Sequence, residues 1–120
     1  MPERLRRIAI ADSSPAFLSA AANYVNHLPG FTLAGTSETA MQALSLGPDV
    51  LLLDLGSSPV QGLEMVKRVK AKPGAPVVVA MTLFHTPEAA AAASRAGADA
   101  LVGKESFVAG LRDALARIFP

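Results

Sequence analysis

Short apolar runs alternate along this chain with longer stretches of helical periodicity. Four runs are dense in β-branched residues or leucine: RRIAIAD (6–12), DVLLLDL (49–55), APVVVAMT (75–82) and DALVGK (99–104). Runs this short, apolar almost throughout and closed by polar or turn residues, predict strands buried on both faces. FTLAGTS (31–37) alternates more and predicts an edge strand.

Between these runs the apolar positions recur at helical spacing. Ser14-Pro15 supplies an N-cap followed by proline at the first helical position. Phe17, Leu18, Ala21, Ala22, Val25 and Leu28 then form one face, which Pro29-Gly30 ends. A second helix is predicted from near Ser37 to Gly47-Pro48, turning Ala40, Met41 and Leu44 to the core. A third is predicted from near Gln61-Gly62, with Leu63, Val66 and Val69 on one side and Lys67, Arg68, Lys70 and Lys72 on a solvated face. Thr86-Pro87-Glu88 opens an alanine-rich fourth helix that Gly97 closes in the left-handed conformation. A fifth, from near Ser106, buries Phe107, Leu111, Leu115 and Ile118.

Strands alternating with helices imply an α/β fold, a parallel sheet with helices on both faces and right-handed crossovers. No linker, repeat or charge block divides residues 1–120, which read as one domain. In such sheets chemistry collects at the carboxyl ends of the strands. Asp12, Asp54, Thr82 and Lys104 close the first, third, fourth and fifth strands, so the fold brings all four to one rim.

Composition narrows the chemistry. With 51% apolar and 18% charged residues the chain can bury a core, and it has no cysteine for disulfides or thiolate chemistry. Eleven basic and ten acidic side chains give a formal charge of +1, too even a balance to draw nucleic acid to this domain. Three arginines before Ile8–Ala11 imitate a signal peptide, but Asp12 breaks the apolar stretch far short of the ~20 residues of a membrane span. The expectation is a cytoplasmic protein that does not engage a membrane.

Two carboxylates, a hydroxyl and an ammonium at one rim suit phosphoryl transfer to an aspartate. Carboxylates hold Mg²⁺, one of them attacks phosphorus, and hydroxyl and lysine bind the phosphoryl oxygens. Here the chain resembles the receiver domain of two-component response regulators over essentially its whole length. The resemblance rests on ADSSPAF, on PDVLLLDLGSSPVQGLE with Gly62 eight residues after Asp54, on the interval from Thr82 to Lys104, and on RAGADALVGK. It implies a flavodoxin-like (βα)5 fold with strand order 2-1-3-4-5. It also implies that Asp54 is the phosphoacceptor and that Thr82 and Lys104 bind the phosphoryl group. Asp12, Asp54 and the backbone carbonyl of Gly56 would hold Mg²⁺.

Four positions depart from the family pattern. Ser13 stands where the second carboxylate of the acidic pair is usual, so Mg²⁺ is expected to bind weakly, with Ser13 making at most a weak or water-mediated contact. Pro59 comes one residue later than the family's proline, although the loop keeps its length. Leu83 replaces a small residue after Thr82 and is expected to restrict access to Asp54. Leu101 replaces the aromatic that often reports the switch. The resemblance implies a sensor histidine kinase or phosphotransfer protein as donor. It also implies an output domain or protein, or a second copy of the chain, at the face made by the fourth helix, fifth strand and fifth helix. Such a domain is a signalling module, not an enzyme. The alternative is a pseudo-receiver that docks a partner without phosphorylation. An aspartyl phosphatase is disfavoured because Gly56 stands where a second aspartate is needed, and neither a dinucleotide fingerprint nor a P-loop occurs.

Overall fold

The computed structural model describes residues 4–120, and in it the five apolar runs form one parallel sheet. Its strands are β1 (Arg6–Ala11), β2 (Phe31–Ser37), β3 (Val50–Asp54), β4 (Val77–Thr82) and β5 (Ala100–Gly103), in the order β2-β1-β3-β4-β5. The helices are α1 (Pro15–Asn26), α2 (Ala40–Leu44), α3 (Pro59–Lys70), α4 (Pro87–Ala96) and α5 (Phe107–Ile118), with a 3₁₀ turn at Lys104–Ser106. This is the flavodoxin-like winding expected from the sequence, with FTLAGTS at an edge.

Alternation along each strand divides the core between the two faces of the sheet. Ile8, Ile10, Val50, Leu52, Val79 and Met81 pack with Ala21, Val25, Phe107 and Leu111 from α1 and α5. Ala9, Ala11, Leu51, Leu53, Val78 and Ala80 pack with Ala43, Val66, Val69 and Ala93 from α2, α3 and α4. β3 is buried on both sides, which is why its sequence is an unbroken VLLL.

The helix ends follow local chemistry. Ser14 Oγ accepts the Phe17 N–H at 3.2 Å and Thr86 Oγ1 accepts the Ala89 N–H at 3.0 Å, each followed by a proline whose fixed φ suits the first turn. Gly97 takes φ +107°, the left-handed closure expected for α4.

Two predicted starts need correction. Ser37 does not open α2, because it is still paired in β2 opposite Ala11; Thr39 caps that short helix by accepting the Gln42 N–H at 3.2 Å. The third helix begins at Pro59, not near Gln61-Gly62, because Ser58 is extended and the proline sets the first helical φ. Gly62 instead sits inside α3 where it crosses the backbone of Leu55. A Cβ there would lie 2.6 Å from Leu55 Cα, so no larger residue fits without displacement. Lys70 also leaves the predicted solvated face: it is half-buried and donates to Asp99 at 3.0 Å and to the Pro76 carbonyl at 3.1 Å.

The β1–β2 pairing slips by one residue. Ile8 faces Leu33 but Ala9 faces Gly35, leaving Ala34 as a bulge.

Candidate functional site

The carboxyl rim of the sheet gathers the predicted charged groups. β1 delivers Asp12 into the interior, its side chain only 1% exposed, while β3 ends in Asp54 with 14% exposed. Lys104, the first residue after β5, reaches back between them. Its Nζ donates to Asp12 Oδ2 at 2.7 Å and stands 3.6 Å from Asp54 Oδ1. The other oxygen of Asp12 accepts the Ser14 N–H at 2.8 Å, so this carboxylate both opens α1 and binds the lysine. Asp54 is half-buried and carries the looser of the two Lys104 contacts.

Two cavities meet at Gly56, where φ is +77°. One, of 270 Å³, is acidic and is bordered by Asp12, Ser13, Glu38, Asp54, Gln61 and the Gly56 backbone. The other, of 330 Å³, is mainly apolar and lies between α3 and α4 against Leu55, Pro59, Thr82, Leu83 and Phe84. Thr82 ends β4, the strand paired with β3, and borders the apolar cavity; its Oγ1 accepts the Phe84 N–H at 3.3 Å. Leu83 is 62% exposed and borders the apolar cavity. Ser13 is exposed at the mouth of the acidic one. Leu101 lies away from both, half-buried in β5 beside a third cavity that His85, Asp99 and Arg117 also line.

A family model of the response regulator receiver domain matches residues 8–116. The chain belongs to that family. Among curated relatives this receiver is 30% identical over 103 residues to protein-glutamate methylesterase/protein-glutamine glutaminase 4 of Myxococcus xanthus, covering 82% of this chain and 29% of that one. It is 30% identical over 105 residues to the like-named protein of Agrobacterium fabrum, covering 83% and 30%. The chain spans 23% to 50% of the length of the curated relatives it matches. Among solved structures, the LuxR-family two-component response regulator of Aurantimonas sp. SI85-9A1 superposes with TM-score 0.81 at 25% identity, over 96% of this chain and 85% of that one. RcsB of Salmonella typhimurium shares the fold with TM-score 0.83 at 20% identity, over 97% and 60%.

Receiver domains hold Mg²⁺ in the acidic pocket, and the oxygens here suit that ion. Mg²⁺ takes one or two carboxylates and completes its shell with water and phosphoryl oxygens. The Asp12 and Asp54 carboxylates and the Gly56 carbonyl are donors of that kind, bordering one pocket. Among the described residues no group of three or more acidic, histidine or cysteine side chains forms a richer metal site.

Sequence reading missed three participants. Glu38 and Gln61 border the acidic pocket from the β2–α2 loop and the first turn of α3. Phe17 packs against the core as its place on α1 predicts, and its ring also lies 4.4 Å from Lys104 Nζ. The Lys104 side chain reaches Asp12, just ahead of α1, and that long-range approach brings ammonium and ring together; no local pattern encodes it.

Proposed function

We propose that residues 1–120 are a phosphoacceptor receiver of a two-component system, in which Asp54 takes a phosphoryl group from a sensor histidine kinase or phosphotransfer protein. The observation that carries this reading is the Lys104 ammonium standing 2.7 Å from Asp12 and 3.6 Å from Asp54, with Asp54 the less tightly engaged and more accessible carboxylate. An oxygen of Asp54 attacks the phosphorus of a phosphohistidine. The P–N bond breaks, and the imidazole leaves with the electron pair and takes up a proton. Lys104 answers the charge that the acyl phosphate adds to the rim. Thr82 gives its lone pair to the Phe84 N–H, which leaves its hydroxyl hydrogen for a phosphoryl oxygen.

Asp12, Asp54 and the Gly56 carbonyl would hold Mg²⁺, weakly, with Ser13 in contact through water at most. When bound, the ion supplies positive charge to the phosphoryl oxygens. Leu83, beside Thr82, narrows the approach for donor and water. The α4-β5-α5 face, including Leu101, then carries the change to an output domain, a separate partner or a second copy of the chain.

The test is intact mass after incubation with acetyl phosphate and Mg²⁺, comparing wild type with Asp54→Ala. One added phosphoryl group in the wild type and none in the variant is the expected result. A second reading, a docking module that works without phosphorylation, is favoured by one observation: Lys104 already neutralises buried Asp12 with no ion needed. Unmodified wild-type protein, with acetyl phosphate and with a panel of phosphorylated histidine kinases, would move the assignment there.

A further inference from the structure

The chain has five phenylalanines, one tyrosine and no tryptophan. Three of these six rings form a run behind the acidic pocket. Phe17 meets Phe107 edge to face at 5.2 Å and 78°, and Phe107 meets Tyr24 at 6.0 Å and 76°. The Tyr24 hydroxyl donates to the Val108 carbonyl at 3.4 Å, tying the run to α5. At its other end Phe17 presents its ring to the Lys104 ammonium, centroid to Nζ 4.4 Å. A lysine carries its charge on a flexible four-carbon stem, and a π face in contact with the ammonium removes much of that freedom. Lys104 is only 13% exposed, so solvent competes little for the cation.

We propose that Phe17 is a positioning residue that holds the Lys104 ammonium on Asp12, so that the tethered cation competes with Mg²⁺ for the pocket. Both oxygens of Asp12 are engaged, one by the Ser14 N–H and one by Lys104. An ion seeking this carboxylate must share or displace the ammonium, and the ring makes displacement costlier. With Ser13 in place of an acid, the other carboxylates at the pocket are Glu38 and Asp54, and Asp54 faces the same ammonium at 3.6 Å. The inference rests on the reading that Asp12 and Asp54 hold Mg²⁺.

The experiment is Mg²⁺ titration of the phosphate-free protein, followed by the amide resonances of Ser13 and Gly56. Phe17→Leu keeps an apolar side chain and removes the π face, and is expected to tighten Mg²⁺ binding about three- to tenfold. Phe17→Tyr restores the face and the wild-type affinity. Lys104→Met tightens binding further, and adding Phe17→Leu to it changes nothing more. Phe17→Met and Lys104→Gln take the same places if the first variants do not fold. Wild-type affinity in Phe17→Leu, or the same tightening by Phe17→Leu when Lys104 is absent, overturns the proposal. Shifts that fail to saturate in every protein, Lys104→Met included, overturn the metal reading itself and the inference with it.

Discussion

The two ends of the sheet use the same residue types for opposite purposes. At the amino end, Asp49 and Asp99 each clamp a neighbouring strand with two hydrogen bonds. Asp49 accepts the Arg7 N–H at 2.8 Å and donates its own N–H to the Arg7 carbonyl at 2.8 Å. Asp99 does the same with Val78, at 2.9 and 2.8 Å. Each also meets a cation, Arg4 at 2.7 Å or Lys70 at 3.0 Å. At the carboxyl end, among the described residues, Asp54 meets only Lys104, at 3.6 Å, a cation already committed to Asp12. A carboxylate whose lone pairs are consumed by backbone N–H groups is a staple, whereas one with a distant, shared partner stays open to chemistry. The Arg7 backbone hydrogen bond, aided by Arg4, holds the Asp49 carboxyl below its ordinary 3.8 against the opposing effect of burial.

The largest expected effect tests what holds the carboxyl rim in place of charge. Gly62→Ala drives a methyl into the Leu55 backbone and should cost about 3 kcal/mol in chemical denaturation, as overpacking against an unyielding surface does. A cost near zero would mean that α3 shifts freely. Next is Asp49→Ala, expected to cost about 2 kcal/mol through the orphaned Arg7 N–H; the exposed Arg4 pair adds little. Because the folded state lowers this pKa, the contribution is fully present above the unfolded value and is lost as pH falls through the folded one. The stability difference between wild type and Asp49→Asn should therefore shrink below about pH 3.8. A constant difference between pH 6 and pH 2 would remove ionisation from the explanation. Asp54→Ala should change stability by no more than about 0.5 kcal/mol, since Lys104 keeps Asp12. A cost equal to that of Asp49→Ala would erase the contrast between the rims. Leu83→Ala should leave stability unchanged, but speed acetyl phosphate labelling of Asp54 and loss of the label a few-fold. Unaltered rates would show that the approach to Asp54 does not pass Leu83.

The strands were legible because burial on both faces demands unbroken apolar runs, and VLLL and VVVA admit little else. The caps at Ser14 and Thr86 were legible because each stands directly before a proline. Ser58-Pro59 carries the same signal and opens α3, although Ser58 makes no side-chain cap bond, while Gly62 serves close packing. At the rim, the placement of Asp12, Asp54, Thr82 and Lys104 followed from strand ends alone. Which carboxylate Lys104 prefers did not, since a flexible side chain chooses between two partners that both lie within its reach, at 2.7 and 3.6 Å. Glu38 escaped for a related reason: the loop carrying it depends on where β2 stops.

That stopping point has an evolutionary consequence. Seven residues of β2 run alongside six of β1, the surplus being Ala34. Gly35 beside it adopts φ +155°, and register is regular again by Ser37, whose carbonyl accepts the Asp12 N–H at 3.1 Å. A homologue lacking that surplus residue could pair with β1 without interruption and still deliver the same carbonyl to Asp12. Loss of that single residue should thus be tolerable in this edge strand, upstream of the anchor. β3, paired on both sides and ending in Asp54, has no comparable slack. Length drift within the lineage should therefore collect in β2, leaving the distance from Asp54 to Gly62 untouched.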